Sequence, residues 1–395
     1  MIAVSSLNLS ASLKAACPRK ALFEAVQTVG HAVSGRNPLP ILSHIVIQTE
    51  GTGLRLIATD LELGISCKIP EATISEAGAL SAPAKLLTEV LANLPEKGDV
   101  AISVDKSHTV HVNCERSSYK ILGLPADEYP KLPEVANTVN FSISQSKLKE
   151  MIKHTLFAVS TDEARAILTG VLMVIDGETL KFVATDTHRL AVKTAVVTHG
   201  TGTQNAIVPS RVMNELTRLL TDGEGEVQVT LSDNQVEFAL PGDNDVHIIS
   251  KLIEGQFPNY TRVIPTTFQK RLTIPVVQLQ RAVRRASIVA RENAQRVVLR
   301  SEDEKLVLTA ESQMVGNAHE EVEISREGED VEIAFNAKYL LDVLNTLDSE
   351  EVHLEMTESL KPGVLRPVVK VTSEAQAGEA LMSDYLCVLM PMQIV

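Results

Sequence analysis

Apolar and polar positions alternate with period two along residues 54–68, which predicts a strand, with a shorter one before it over 41–49. Ahead of these, Leu22, Ala25, Val26 and Val29 fall at helical spacing, so a helix is expected from about Arg19 to Ala32. Residues 1–18 are Ser- and Ala-rich and weakly patterned, and part of them reads as a frayed extension. Gly35 to Pro40 cannot be helical and reads as a loop. Pro83 suits a first helical position, and Leu86, Leu87, Val90 and Leu94 mark the apolar face of a second, short helix. Strands at 99–104, 109–114 and 118–124 complete a first unit.

The same order then recurs. A helix at about 146–159 carries Leu148, Met151, Ile152, Thr155 and Val159 inward, and strands are expected at 167–175 and 180–195. A helix follows Pro209 with Val212, Met213, Leu216 and Leu220 apolar. Ala-Thr-Asp at 58–60 returns at 184–186, and Pro83 returns as Pro209, each 126 residues on. A third copy places Leu279, Ala282, Val283 and Ala286 on one helix and Tyr339, Leu340, Val343, Leu344 and Leu347 on another, with strands at 296–300 and 305–311 between them. Val212 and Tyr339 lie 127 residues apart, so three markers share nearly one period. Pro-rich junctions at Gly123-Leu124-Pro125 and Gly255-Gln256-Phe257-Pro258 separate the copies, and the chain stops at Val388-Leu389-Met390-Pro391, where a third junction would begin. The expected fold is α+β: three tandem domains, 1–127, 128–264 and 265–395, each with two helices packed on antiparallel sheets of about eight strands.

Composition narrows the function. At 395 residues the chain is too long for one ordinary core. No apolar run reaches about 18 residues, and no basic-then-apolar leader is seen, so neither a membrane span nor export is expected. Cys17, Cys67, Cys114 and Cys387 are scattered, which disfavours a zinc or redox motif and suits a reducing cytoplasm. A net charge of −13 disfavours general nucleic-acid affinity, so any DNA-facing surface must be a local basic patch. With 3% aromatic residues and no Trp, recognition by base stacking is not expected.

Four dispersed motifs stand in collinear order: Ala-Thr-Asp-x-His-Arg-Leu-Ala at 184–191, Phe257-Pro258-x-Tyr260-x-Arg262-Val263, Phe335-Asn336-x-x-Tyr339, and Val388-Leu389-Met390-Pro391-Met392. Together they resemble the bacterial DNA sliding clamps, the β subunits of the replicative polymerase III holoenzyme. The resemblance implies a head-to-tail homodimer, a six-domain ring around double-stranded DNA with helices lining the hole, and no chemistry of its own. It also implies a clamp-loader complex as partner. Polymerase III, other polymerases, ligase and mismatch-repair proteins would dock through short linear peptides, with no cofactor and no metal.

Three residue sets follow. Lys147, Lys149, Lys153, Arg281, Arg284 and Arg285 lie on the polar faces of the first helices of units two and three, and Lys85, Arg211 and Lys338 stand near the starts of the second helices. Basic residues at helix starts oppose the macrodipole, and facing phosphate is one reason to keep them there; solvation of an exposed helix face is the plainer one. The resemblance adds Arg36 as a DNA contact, whereas Glu24 departs from a basic lining in unit one. It places a peptide groove at Leu168, Thr185, His188, Arg189, Leu190, Pro258, Arg262, Val263, Val388, Leu389, Met390, Pro391 and Met392, with Arg165, Asn336, Tyr339, Leu360 and Pro362 nearby. Leu, Val, Met and Pro would take apolar anchors, while His188 and the arginines supply donors; a solvated strand edge and a sheet-closing C-terminus would explain the same residues. Thr187, where the family mostly has Gly, and the ending Gln393-Ile394-Val395, where Arg-Leu is common, would alter the rim. Tyr119 and Ile121 would meet Ile288 and Val289 of a second chain, or all four are internal core. Two rivals stay open: a metal-dependent nuclease using Asp60, Glu62 and Asp186, although a repeated Thr-Asp also makes a side-chain-stabilised turn, and a peptide-binding scaffold without DNA.

Overall fold

The structure, a computed structural model, describes residues 12–33, 39–136, 138–291, 293–369 and 384–394. The first repeat runs β1 (Leu13–Pro18), α1 (Arg19–Gly30), β2 (His44–Glu50), β3 (Gly53–Thr59), β4 (Leu63–Ile69), β5 (Thr73–Glu76), β6 (Ala79–Pro83), α2 (Ala84–Asn93), β7 (Asp99–Val104), β8 (Thr109–Cys114) and β9 (Ser117–Leu122). The second runs β10 (Val139–Ser144), α3 (Gln145–Thr155), β11 (Gly170–Asp176), β12 (Thr179–Thr185), β13 (Arg189–Val196), β14 (Thr203–Pro209), α4 (Ser210–Leu219), β15 (Glu226–Leu231), β16 (Gln235–Leu240) and β17 (Val246–Lys251). The third runs β18 (Lys270–Pro275), α5 (Val276–Ala290), β19 (Arg296–Glu302), β20 (Lys305–Ser312), β21 (Gly316–Glu323), β22 (Ser325–Glu327), β23 (Glu332–Asn336), α6 (Ala337–Leu344), β24 (Glu351–Met356), β25 (Gly363–Pro367) and β26 (Tyr385–Leu389). Each repeat thus has two helices among its strands, as expected.

Contacts divide the chain into two compact units, and the second repeat contributes to both. One unit takes the described residues up to Ser146 with Thr198–Thr201 and Asn214–Leu252; the other takes Lys147–Val197, Gly202–Met213 and the described residues from Ile253 onward. The first unit holds a five-stranded sheet, β5-β1-β7-β8-β9, and an eight-stranded sheet, β10-β15-β16-β17-β4-β3-β2-β6. The second holds a nine-stranded sheet, β14-β11-β12-β13-β26-β25-β24-β18-β22, and a four-stranded sheet, β21-β20-β19-β23. Helix α1 buries Leu22, Ala25, Val26 and Val29, packs on α2 and lies over β3 and β4. Helix α5 buries Leu279, Ala282, Val283 and Ala286, packs on α6 and lies over β19 to β21.

Several expectations change. The run 54–68 is two strands, β3 and β4, separated by a turn at 60–62, and 180–195 is likewise β12 and β13 around a turn at 186–188. Alternation resumes in the opposite phase after each turn because the chain folds back on the same core, Ala58 facing Ile65 and Ala184 facing Ala191. Pro40–Ser43 forms a 3-10 turn, so the strand there starts at His44, and another 3-10 stretch, Glu163–Leu168, delays β11 to Gly170. Helix α3 ends at Thr155, and Leu156–Ala158 follows as a 3-10 turn. Leu91 completes the buried stripe of α2, while Leu86 is exposed. Leu13–Pro18 is no frayed tail: Leu13, Ala15 and Cys17 point inward from β1, between β5 and β7. Residues 1–11 and Gly35 to Pro38 lie outside the described residues.

The first junction is anchored by Tyr129, which is buried. Its hydroxyl accepts the Thr59 N–H at 2.9 Å and donates to the His44 carbonyl at 3.2 Å. Burial pushes its pKa up to about 12, so the hydroxyl keeps the proton it donates. Tyr129→Phe leaves the buried Thr59 N–H without this acceptor and is expected to cost about 1–3 kcal/mol, read as a lower denaturant midpoint at an unchanged slope.

Candidate functional site

The Ala-Thr-Asp motif builds one turn twice. In the second repeat, Thr185 Oγ1 donates to the Arg189 carbonyl at 2.7 Å and accepts the Thr187 N–H at 3.1 Å. Asp186 Oδ1 accepts the N–H groups of His188 and Arg189 at 2.9 and 3.1 Å. In the first, Thr59 Oγ1 donates to Leu63 O at 2.9 Å and accepts Leu61 N–H at 3.0 Å, and Asp60 Oδ1 takes Glu62 N–H and Leu63 N–H at 3.0 and 2.9 Å. Leu61 and Thr187 carry the same left-handed φ, 77° and 79°. Side-chain oxygens that satisfy turn N–H groups hold this conformation without glycine. The carboxylates of Asp60 and Asp186 are therefore occupied by backbone, which favours the turn reading over the nuclease. A third, shorter copy keeps Ser312 Oγ on the Met314 N–H at 3.3 Å but has Gln313 in place of the aspartate.

Arg189 sits beneath the second turn, not on its rim. It is buried: Nε donates to Asp186 Oδ2 at 3.0 Å, Nη1 to Asp342 Oδ2 at 2.6 Å and Nη2 to the Phe157 carbonyl at 2.5 Å. The guanidinium also lies 4.4 Å from the centre of the Tyr339 ring. All three faces of the fork are engaged, so Arg189 positions the turn. His188 is exposed, and its ring stacks at 6.1 Å and 20° on Tyr339. Burial, with the nearby Asp186 charge, raises the Tyr339 phenol above its ordinary range. Exposed Arg165 pairs with Asp162 at 3.0 Å and reaches Thr187 Oγ1 at 3.5 Å. Asn336 caps α6 by accepting Lys338 N–H and Tyr339 N–H at 2.9 and 3.3 Å. Sequence reasoning missed Asp342 and Phe157. Asp342, three residues after Tyr339 on α6, was the available signal.

The apolar candidates form a floor. Leu168, Leu190, Val388 and Leu389 are buried; Leu190 and Val388 share a cluster with Leu172, Val183, Val192, Ile207 and Val364, against which Phe257, Tyr260 and Leu386 pack. Strand β26 lies on β13 with Leu190 opposite Val388 and Arg189 opposite Leu389. Beyond it Met390 N–H donates to His188 O at 2.9 Å and Met392 N–H to Ala334 O at 2.8 Å, leaving Met390, Pro391 and Met392 half-buried beside His188. Thr185 and Pro362 are half-buried, whereas Pro258, Arg262, Val263 and Leu360 are exposed and stand outside the cluster.

Lys85, Arg211 and Lys338 are exposed second residues of α2, α4 and α6, one repeat position occupied three times. Arg281 and Arg284 are exposed on α5, and Lys149 is half-exposed on α3. Lys147 meets Glu150 at 2.9 Å, Lys153 meets Asp348 at 2.9 Å and Arg285 meets Glu320 at 2.5 Å. Burial would raise the Glu150 carboxyl, but Lys193 and Lys147 outweigh it and hold it below its ordinary range. Arg36 lies outside the described residues. Of the interface candidates, Ile121 is buried on the inner face of β9; Tyr119 and Ile288 are exposed and Val289 is half-buried.

Comparison with known proteins accounts for these features together. Residues 13–133, 142–259 and 261–377 match the family models of the N-terminal, central and C-terminal domains of the DNA polymerase III beta subunit. The beta sliding clamp of Staphylococcus aureus (strain Mu50) is 34% identical over 345 residues, 85% of this chain and 90% of that protein. The crystal structure of the Bacillus subtilis polymerase sliding clamp superposes with a TM-score of 0.89 at 28% identity, over 97% of this chain and 100% of that one. A Pseudomonas aeruginosa sliding clamp bound to griselimycin gives 0.87 at 31% identity, again over 97% and 100%. Three repeats of one α+β domain, the doubled Thr-Asp turn and these matches over nearly the whole chain place it in the bacterial β sliding clamp family, the DNA sliding clamps of DNA polymerase III.

Proposed function

We propose that two copies of this chain close head to tail into a six-domain ring around double-stranded DNA, with domains at 1–127, 128–264 and 265–395, and tether polymerase III without catalysing a reaction. The observation that carries this reading is a missing partner. The first repeat is joined to the second by β4 on β17, and the second to the third by β13 on β26, in one register: Gly64 faces Ile249, and Leu190 faces Val388. The equivalent third pair is β21 with β9, and among the described residues each of these is an edge strand of its own sheet. Unpaired edges invite pairing with another chain. A second copy satisfies both edges at once and closes the assembly. Tyr119, on the face of β9 that also carries buried Ile121, would then be covered by Ile288 and Val289 of the second copy.

The basic residues at one position in three repeats, with those on α3 and α5, support a sequence-independent phosphate-facing surface. The half-buried methionines beside His188, over the floor of Leu190 and Val388, support docking of short peptides from polymerases, ligase and mismatch-repair proteins. The griselimycin-bound relative fits that reading, and the loader complex and a cytoplasmic setting follow from the same function. No helix among the described residues is long and apolar enough to cross a membrane.

Extending the shared register sets Gly316 against Lys120 and Ala318 against Ser118 of a second copy. The native cysteines are buried, so Ser118→Cys with Ala318→Cys is expected to cross-link chains in pairs under oxidation. After loading, that closed ring should remain on circular duplex DNA and slip off once the circle is cut; equal release from both forms would rule out encirclement. Removing Pro391 to Val395 is expected to leave the dimer intact and abolish stimulation of polymerase III. Full stimulation by the shortened chain would dismiss the groove.

A further inference from the structure

Among the described residues, Met314 at 87% and Leu122 at 79% are the most exposed large apolar side chains, and Val315, next to Met314, is 57% exposed. Leu122 ends β9, and Met314 and Val315 form the turn between β20 and β21. Isolated exposed apolar residues are unremarkable on a protein surface. These occupy positions that the other two repeats use to lock their joints.

At the first joint, Lys251 follows the Ser250–Leu63 pair, donates its N–H to the Glu62 carbonyl at 2.9 Å and places Nζ 2.9 Å from Glu62 Oε1. At the second, Met390 follows the Leu389–Arg189 pair and donates its N–H to the His188 carbonyl, also at 2.9 Å. Counting back two residues from Gly64 and Leu190, the first residues of β4 and β13 to pair across their turns, gives Glu62 and His188. The same count from Gly316 gives Met314. On the other side, Val110 faces Ile121 as Val236 faces Ser250, and Gly123 N–H reaches His108 O at 3.1 Å as Leu252 N–H reaches Asn234 O at 2.9 Å. Leu122 is thus the third counterpart of Lys251 and Met390.

We infer that Leu122 of one copy clasps the Met314–Val315 turn of a second copy, donating its N–H to the Met314 carbonyl and laying its side chain on Met314 and Val315. The ion pair of the first joint becomes an apolar contact at the third. This rests on the head-to-tail closure proposed above and adds to it a locking contact beyond the strand ladder. An apolar lock is not screened by salt, whereas phosphate contacts are, so ionic strength would loosen the hold on DNA before it opened the ring.

The first joint supplies its own test. In the full chain, Leu122→Lys alone or Met314→Glu alone removes the apolar contact and leaves an unmatched charge at the joint, and is expected to weaken dimerisation about tenfold, measured by sedimentation. Combined, they rebuild the Lys251–Glu62 pair, and the double variant should regain part of the loss at low salt and give it back at high salt. Both side chains are exposed in the single chain, so neither change should shift the folded state seen by circular dichroism. If the single variants dimerise normally while Tyr119→Asp does not, the clasp is wrong and the closure stands. Single variants that weaken the dimer with no recovery in the double also remove the clasp. A wild-type chain that stays monomeric removes the clasp and the closure together.

Discussion

Backbone hydrogen bonding between the last strand of one repeat and the fourth strand of its neighbour is the interaction on which the remaining architecture depends. β17 on β4 and β26 on β13 are antiparallel ladders continuous with the sheets on either side, so each joint is built from the same bonds as the domains themselves. A ladder of this kind fixes register, and a slip by one residue would turn each buried side chain outward. It also leaves nothing to composition: the joint forms wherever two edges carry compatible patterns. An open chain of three such repeats ends in two edges, and among the described residues β9 and β21 are those edges.

Equal joints need not give equal surfaces. At the first joint the position of Leu190 is taken by Gly64, and a side chain there would meet Leu132 of the linker within 2.4 Å. The linker fills the space over β4 itself, with Tyr129 pinned to Thr59 and His44, and Lys251 is tied to Glu62. At the second joint Leu190 belongs to the cluster on which Phe257 and Tyr260 pack, the rim carries His188 and Thr187, and Met390 brings a flexible apolar side chain where Lys251 stands at the first. The fixed cation moves inward as Arg189, buried under the turn. One joint is thereby closed by its own linker, and the other keeps an adaptable apolar surface of the kind that accepts peptide anchors.

Much of this was legible in the chain. Helices α1 and α5 follow their apolar stripes, because a face at 3.6-residue spacing has one way to bury itself. The Thr-Asp turn was readable as chemistry before it was readable as a break, since alternation alone ran 54–68 and 180–195 together. Leu86 was misplaced for a simple reason: Leu87, Val90, Leu91 and Leu94 form the complete stripe, and Leu86 is one step off it. β1 escaped notice because Ala15 and Cys17 are too small to mark a strand by pattern. Arg189 shows the limit best. A conspicuous arginine beside a histidine looks like a binding pair, and only the positions of Asp342 and the Phe157 carbonyl reveal that one binds inward and the other faces out.

The same limit applies to charge. A net charge of −13 places carboxylates within reach of almost any exposed cation, and Lys147, Lys153 and Arg285 are paired. Exposed pairs of this sort are worth about 0–1 kcal/mol. On the proposed phosphate-facing surface, exchanging Asp348 for a phosphate would cost Lys153 little and gain it little, because the freed carboxylate takes up a counterion as the phosphate gives one up. For an enzyme that must hold its substrate this would be a defect. For a ring that must remain on a duplex by topology and still move along it, weak and replaceable phosphate contacts are the useful kind, since a contact that is nearly balanced before and after exchange presents little barrier to the next step.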